Sequence, residues 1–454
     1  MSRSRRPAFL STLLVLLLSA VAAAPAVEEP LVAVGDVTPT GAVLWLRGSA
    51  PGEARVRYRP ASAPADTAAS LSVPLLRATD FTAKVRLTGL TPGTRYGYRV
   101  ESAGVGVDGE FATAPPADTP ARVKFLWSGD LGGGKVCRPA GRGFAIFRAM
   151  ATERADFFLF VGDTVYADQR CDRPDVVPGS DFVAMSLAGF RAKHRYNRQD
   201  PAAAAFYATT PVFAIWDDHE VRNDFAGSVE PLMPVGRQAF LDYWPIMPSA
   251  EEPGRLYRSF RWGRLLDVFI LDTRQYRSPN AEPDGPGKTM LGAAQRRWLV
   301  DGVTGSTAVW KVVVSSVPLA ISTGRAFRDS WSGARLDGTP DEGTGFAAER
   351  DAILRAFRSR AVKNLIVLAA DVHHAELIRH HPWPDFSFHE FIAGPLAATQ
   401  GWPRMLDRSL NPRPLFARGG VNNYGEITIE PETLRVRIVD EDGRTLFSHV
   451  IGPD

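Results

Sequence analysis

The 454 residues contain no low-complexity tract and no repeat at a solenoid period, which leaves an ordinary globular composition long enough for two or three domains. Apolar runs long enough to cross a bilayer are missing beyond the N-terminus. There, Arg3, Arg5 and Arg6 precede an apolar core from Phe9 to Ala24, and Ala24-Pro25-Ala26 reads as a cleavage site before Val27. The short core and the acidic, proline-containing exit Val27-Glu28-Glu29-Pro30 argue against a retained anchor. Two arginines before Phe9-Leu10 hint at twin-arginine export, but Pro7 and Ala8 stand where the usual motif has one residue, so Sec export stays open. Net charge is lacking too. Removing residues 1–26 takes away three arginines and no acid, leaving 50 basic against 50 acidic residues. A neutral mature chain gives no reason to expect specific nucleic-acid or general membrane binding. Cysteine is almost absent. Cys137 and Cys171 are a candidate disulfide, with Cys137 as a metal ligand the competing reading.

Residues 27–116 read as all-β. Gly41–Arg47 and Ala54–Tyr58 have strand composition, and Pro- and Gly-containing turns separate them. Val85 to Val100 (VRLTGLTPGTRYGYRV) resembles the later part of a fibronectin type III domain, in which Pro-Gly makes a turn and Tyr-x-Tyr-x-Val opens the next strand. Ala114-Pro115-Pro116-Ala117-Asp118 marks a boundary, with a second domain over 117–454.

In the second domain, strands alternate with helices and then give way to hairpins. This predicts an α/β (α+β) fold of two stacked mixed β-sheets flanked by helices, plus the small N-terminal β-sandwich. The helices are expected over Phe144–Arg154, Phe182–Tyr196 (basic residues outward), Ala293–Gly302 and Phe346–Val362. Four buried-type strands end in acids. Arg122–Trp127 runs into Ser128-Gly129-Asp130, and Phe157–Val161 into Gly162-Asp163-Thr164-Val165-Tyr166. Val212–Trp216 runs into Asp217-Asp218-His219-Glu220-Val221-Arg222-Asn223-Asp224, and Asn364–Leu368 into Asp371-Val372-His373-His374. Carboxylates at strand ends sit where open α/β sheets bind ligands. Four such ends, two with a histidine nearby, provide what a multi-metal centre needs. An oxygen-rich set suits iron, manganese or calcium. Two cations about 3.5–4 Å apart can hold a bridging hydroxide and polarise a phosphoryl group.

Together these motifs resemble the calcineurin-like metallophosphatases, and within them the alkaline phosphatase D-like family, related to purple acid phosphatases. The resemblance runs from about residue 30 to the C-terminus. It implies that Asp163 bridges two metal sites. Asp130, Tyr166 and His373 would complete an Fe3+-type site, and Asp218 and Asp371 would serve a Ca2+-type site. A Zn2+ or Mn2+ pair is the alternative. His219 would lie beside the phosphate, and Asn223 would bind metal or phosphate. Arg274 would clamp the phosphate or pair with a loop carboxylate. Asp217 and His374 would orient neighbouring ligands. Some family members have Ser-Cys, with the cysteine on iron, where this chain has Ser128-Gly129-Asp130. The aspartate takes that role here, which speaks for the Cys137–Cys171 disulfide. Ser315-Ser316 stands where purple acid phosphatases have a histidine, so the second site should favour a harder ion.

The expected function is that of an exported phosphoesterase, periplasmic or extracellular and monomeric, hydrolysing phosphomonoesters or phosphodiesters by attack of a metal-bound hydroxide. The alternatives are a phospholipid- or nucleotide-specific phosphodiesterase, or a non-catalytic surface-binding protein on the same scaffold. The loop from Thr323 to Gly345 is long enough to act as a lid.

Overall fold

The strand Phe157–Val161 is buried along its whole length, as its unbroken apolar run requires of a strand covered on both faces. It is the fifth strand of a nine-stranded sheet in a computed structural model that describes residues 28–134, 136–340 and 345–454. The proposed leader, residues 1–26, lies outside the described residues. None of the described helices is long and apolar enough to cross a membrane.

Seven strands form the N-terminal unit: β1 (Leu31–Gly35), β2 (Gly41–Arg47), β3 (Gly52–Pro60), β4 (Ala69–Leu75), β5 (Thr82–Thr88), β6 (Arg95–Ser102) and β7 (Val105–Ala112). They pair as β1-β2-β5 and β4-β3-β6-β7, two sheets of a sandwich. The sandwich does not stand apart. Gly35 of β1 pairs in parallel with Val212 of the next unit, so the three-stranded sheet continues the large one. A Cβ at Gly35 would lie 2.3 Å from Val212 O, so only glycine permits this approach.

The remaining strands are β8 (Val123–Ser128), β9 (Leu131–Gly133), β10 (Phe157–Val161), β11 (Val212–Ile215), β12 (Arg258–Trp262), β13 (Leu266–Ile270), β14 (Trp310–Val314) and β15 (Leu365–Ala369). After them come β16 (Ala375–Trp383), β17 (Phe386–Ile392), β18 (Ala397–Ala398), β19 (Pro412–Arg418), β20 (Asn423–Glu430), β21 (Thr433–Asp440) and β22 (Thr445–Ile451). The large sheet has the order β22-β21-β20-β8-β10-β11-β1-β2-β5, and a second sheet runs β12-β13-β14-β15-β17-β16-β19. Both are mixed. β8, β10 and β11 are parallel in one sheet, as are β13, β14 and β15 in the other. The sheets stack through aromatic rings: Phe213 on Phe260 at 3.9 Å, Phe157 on Trp262 at 5.1 Å, and Phe416 on Phe447 at 4.7 Å. Each such ring buries roughly 150–250 Å².

The helices are α1 (Ile146–Thr152), α2 (Leu187–Arg198), α3 (Pro201–Thr209), α4 (Met233–Tyr243), α5 (Gly292–Gly305) and α6 (Ala347–Ser359). α2 departs from expectation twice. It begins at Leu187, where Ser186 Oγ caps the Gly189 N–H at 3.3 Å, and not at Phe182. Its basic residues also turn inward. Lys193 Nζ binds Gln169 O and Ser180 O at 2.6 and 2.9 Å, and Arg198 is buried among Trp45, Tyr207 and Trp244. Arg198 and Arg195, which pairs with Asp80 at 2.8 Å, tie the sandwich to the helices. Trp45 Nε1, donating to Asp242 O at 2.7 Å, adds to the same seam.

Candidate metal centre

The parallel strands of both sheets end on the same side of the molecule, and the turns that follow converge between them. Asp130 follows β8, Asp163 follows β10, Asp217 to Asp224 follow β11, and Asp371 and His373 follow β15. Asp130, Asp163, Asp371 and His373 all adopt positive φ, between 50 and 70°. That region costs a non-glycine residue roughly 1–2 kcal/mol. Four strained residues at four turn positions mark a place where side-chain direction outweighs backbone comfort.

Donor atoms of Asp130, Asp163 and His373 lie within 4.8 Å of one another, and so do those of Asp163, Asp218 and His219. Asp163 belongs to both groups. Tyr166 Oη joins the first, 2.9 Å from His373 Nε2. His373 Nδ1 donates to the Thr399 carbonyl at 2.5 Å, which leaves its Nε2 lone pair facing Tyr166 and Asp130, the latter 3.6 Å away. Burial holds His373 down to about 4, so its ring is neutral near pH 7.

Burial, and then the neighbouring acids, push Asp130, Asp163 and Asp371 well above the usual carboxylate range. Both oxygens of Asp130, Oδ1 of Asp218 and Oδ2 of Asp371 are buried without a hydrogen-bond partner. A buried acceptor left unpaired costs about 1–3 kcal/mol, and more when charged. Oxygens of this kind, gathered around one shared aspartate with a neutral imidazole and a phenol, fit hard cations.

Tyr166 is held from two sides. Its ring stacks on His219 with centroids 4.1 Å apart, and on the other side a Cβ at Gly133 would lie 2.1 Å from its Cζ. His219 in turn is oriented by Asp168, whose Oδ1 is 2.8 Å from Nδ1. Burial disfavours its charge, but Asp218 and Asp168 outweigh burial and raise it to about 9. Asp168 lies in the same turn as Asp163, five residues on, and sequence reasoning gave it no role. Glu220 was also missed. Its carboxylate accepts from Thr164 N, Thr164 Oγ1 and Asp217 N at 2.6–2.9 Å, locking the turns after β10 and β11 together.

Arg274 takes the second of its two expected roles, pairing with a loop carboxylate, and its place as a catalytic group is corrected. The guanidinium is fully buried, with Nε on Asp217 at 2.7 Å and both terminal nitrogens on Asp329 at 2.8 and 2.7 Å. Its fork is filled by protein carboxylates, so it is not a phosphate clamp. Part of the loop expected to act as a lid is built into the interior. Asp329, Ser330, Trp331 and Ser332 are each at most 2% exposed, and Asp329 also holds Arg277 at 2.8 Å. This part of the loop is a wall of the site; residues 341–344 lie outside the described residues. Asp329 joins Asp218 and Asp224 in a third acidic group.

Asn223 stays exposed and donates its backbone N–H to Asp168 Oδ2 at 2.9 Å. His374 is buried on Glu376 at 3.0 Å, away from the donor groups. Cys137 and Cys171 form a disulfide, so neither is a thiolate ligand.

A model of the PhoD-like phosphatase family matches residues 134–438, and a model of the N-terminal domain of PhoD-like phosphatases matches residues 22–115. The chain is 28% identical over 323 residues to alkaline phosphatase D of Bacillus subtilis (strain 168). That match covers 64% of this chain and 52% of the relative, so the chain spans about half the relative's length. Among solved structures, the fold is similar to that of PhoD, with a TM-score of 0.77 at 21% identity over 93% of this chain and 90% of that one. It is also similar to a purple acid phosphatase from yellow lupin (Lupinus luteus) seeds, with a TM-score of 0.65 at 13% identity over 94% of this chain and 75% of the other.

Proposed function

Because the chain belongs to the PhoD-like phosphatase family, we propose that it is an exported, metal-dependent phosphoesterase hydrolysing phosphomonoesters or phosphodiesters in the periplasm or outside the cell. One observation carries the reading: Asp130 and Asp218, with buried and unpaired carboxylate oxygens, belong to two donor groups that share Asp163, while Asp371 Oδ2 is buried and unpaired at the turn after β15. Asp130, Asp163, Tyr166 and His373 would hold Fe3+, the phenol favouring a ferric ion. Asp163, Asp218 and Asp371, with Asn223 at the rim, would hold Ca2+. Bound cations supply Lewis acidity and lower the pKa of coordinated water.

The protein's own groups do the rest. Asp168 fixes the His219 ring through Nδ1 and leaves Nε2 to stabilise charge on a phosphoryl oxygen or to give a proton to the leaving group. Tyr166 braces that ring from below. Arg274 and Arg277 act at one remove, fixing Asp217 and the Asp329 wall. No side chain is used as a covalent nucleophile.

The test is turnover of p-nitrophenyl phosphate and bis-p-nitrophenyl phosphate by the metal-loaded protein and by Asp163→Asn. The reading expects turnover of at least one ester, abolished by the substitution. Full activity in Asp163→Asn, or no turnover of either ester after reconstitution, would favour a binding protein on a phosphatase scaffold.

A further inference from the structure

Three neighbouring strands at the opposite end of the sheets carry two arginines and a histidine in a row. Arg413 of β19, Arg379 of β16 and His389 of β17 are direct cross-strand partners. Like charges set opposite one another in this way are destabilising. His389 shares its face with Phe391, 5.6 Å away, and Phe391 meets Trp127 of the other sheet at 6.4 Å, so the row faces the gap between the sheets. His449 of β22 enters the same gap from the other side, as the register partner of buried Val436. Here the sheets part around a cavity of about 380 Å³, lined by these four residues with Asn364, Ser387 and Asp454.

The two arginines are not neutralised by an ion pair among the described residues. Arg379 Nε is buried without a partner, and its Nη2 reaches Ser387 Oγ only at 3.5 Å. Asp454 lies at the rim and gives its backbone N–H to Asn364 Oδ1 at 2.8 Å. Burial, then Arg379 and His449, hold His389 down to about 4, and no carboxylate is among the groups that act most on it.

We infer that this cavity is a second anion site, built for the tetrahedral oxyanion of inorganic phosphate or of a phosphorylated small molecule. Two guanidinium forks match a phosphate bidentately, and the histidines and Ser387 supply further polar atoms. Two arginines also exclude a cation. The cavity opens at the N-terminal end of β15, while Asp371 follows its C-terminal end, about 20 Å away at strand rise. Binding here therefore does not compete with binding at the metal centre.

Calorimetric titration of the full chain with inorganic phosphate tests this. The metal-loaded protein should show two classes of site. Asp163→Asn should retain the class that belongs to the cavity. Adding Arg379→Gln and Arg413→Gln should weaken that class roughly 10- to 100-fold per guanidinium lost. In the Asp163-containing protein the two glutamine substitutions should leave ester turnover unchanged. In phosphate-free buffer they should leave the melting temperature equal or higher, since they relieve the like-charge row. His449→Gln, a milder change, should weaken the same class several-fold should the double variant fail to fold. Absence of phosphate binding in Asp163→Asn would overturn the inference, and so would undiminished binding in both the arginine and the histidine variants.

Discussion

Replacing Gly133 by alanine should damage the site without touching a donor atom. The added methyl would sit 2.1 Å from Tyr166 Cζ and 2.2 and 2.3 Å from Cε1 and Cε2, directly over the ring. Carbon contacts settle near 3.5 Å, so the ring must retreat by roughly 1.4 Å. The space it would retreat into is occupied by His219, stacked at 4.1 Å and backed by Asp168. Relief therefore requires moving Tyr166 Oη off His373, moving His219, or distorting β9. Overpacking of this kind costs about 1–3 kcal/mol. A displacement of about 1 Å at reacting groups costs on the order of 10²-fold in rate. Steady-state turnover with a diester, metal content and thermal unfolding should be measured on Gly133→Ala beside Gly97→Ala, whose added methyl meets nothing within 4 Å. The first should lose about 10²-fold in kcat/KM, and the second should behave as wild type. Full activity and metal content in Gly133→Ala would refute the claim that Tyr166 and His219 work as a wedged pair.

Other perturbations separate roles that are easily confused. Asp168→Ala should keep the metals but lower kcat about 10²-fold, with a larger loss for alkyl than for p-nitrophenyl leaving groups, if His219 gives a proton; equal losses would limit His219 to stabilising charge. Arg274→Met should cost about 3–5 kcal/mol in denaturant unfolding, because it removes the guanidinium from buried Asp217 and leaves Asp329 with Arg277 alone; unchanged stability with a raised KM would restore the phosphate clamp. His194→Phe tests pH dependence away from the centre. Burial and then Arg198 hold His194 down to about 3, and both its ring nitrogens lack partners. The unfolded chain therefore takes up the proton first, and wild-type stability falls as pH drops from 6.5 towards 3, on the order of 5 kcal/mol in all. The phenylalanine variant should be spared this loss, and an identical acid dependence in both proteins would contradict the assignment.

Much of the architecture was legible because the strands that matter are apolar runs ending in acids. β2 matches its expected bounds, and β8, β10, β11 and β15 lie within a residue or two of theirs. The two stacked sheets follow from the switch between alternating and hairpin segments. Elements with weaker apolar patterns escaped. β16 carries two histidines and Pro382, and β19 opens Pro-Arg-Pro, so neither reads as a strand until its partners are known. α3 did announce itself, with Asp200 capping Ala202 and Ala203 and Pro201 at its start, but its alanines show no amphipathic face. The basic residues of α2 read as a solvated face, yet Arg198 fills an aromatic cage and Lys193 satisfies carbonyls. In the site, residues adjacent to strand ends were readable. Asp329 was not, because it arrives from a loop 55 residues beyond Arg274 and nothing local marks it. Asp168 carried a signal, an acid five residues after Asp163, whose meaning depends on where the turn sends its side chain.

The most direct test is the metal content of the purified protein by elemental mass spectrometry, on wild type and Asp163→Asn, before and after reconstitution. Two shared-ligand sites predict two cations per chain in the wild type, iron with calcium for the set Asp130, Tyr166 and His373 beside Asp218 and Asp371, and loss of both on removing the common carboxylate. A wild-type protein that neither contains metal nor takes it up, or an Asp163→Asn protein that keeps both ions, would contradict the account.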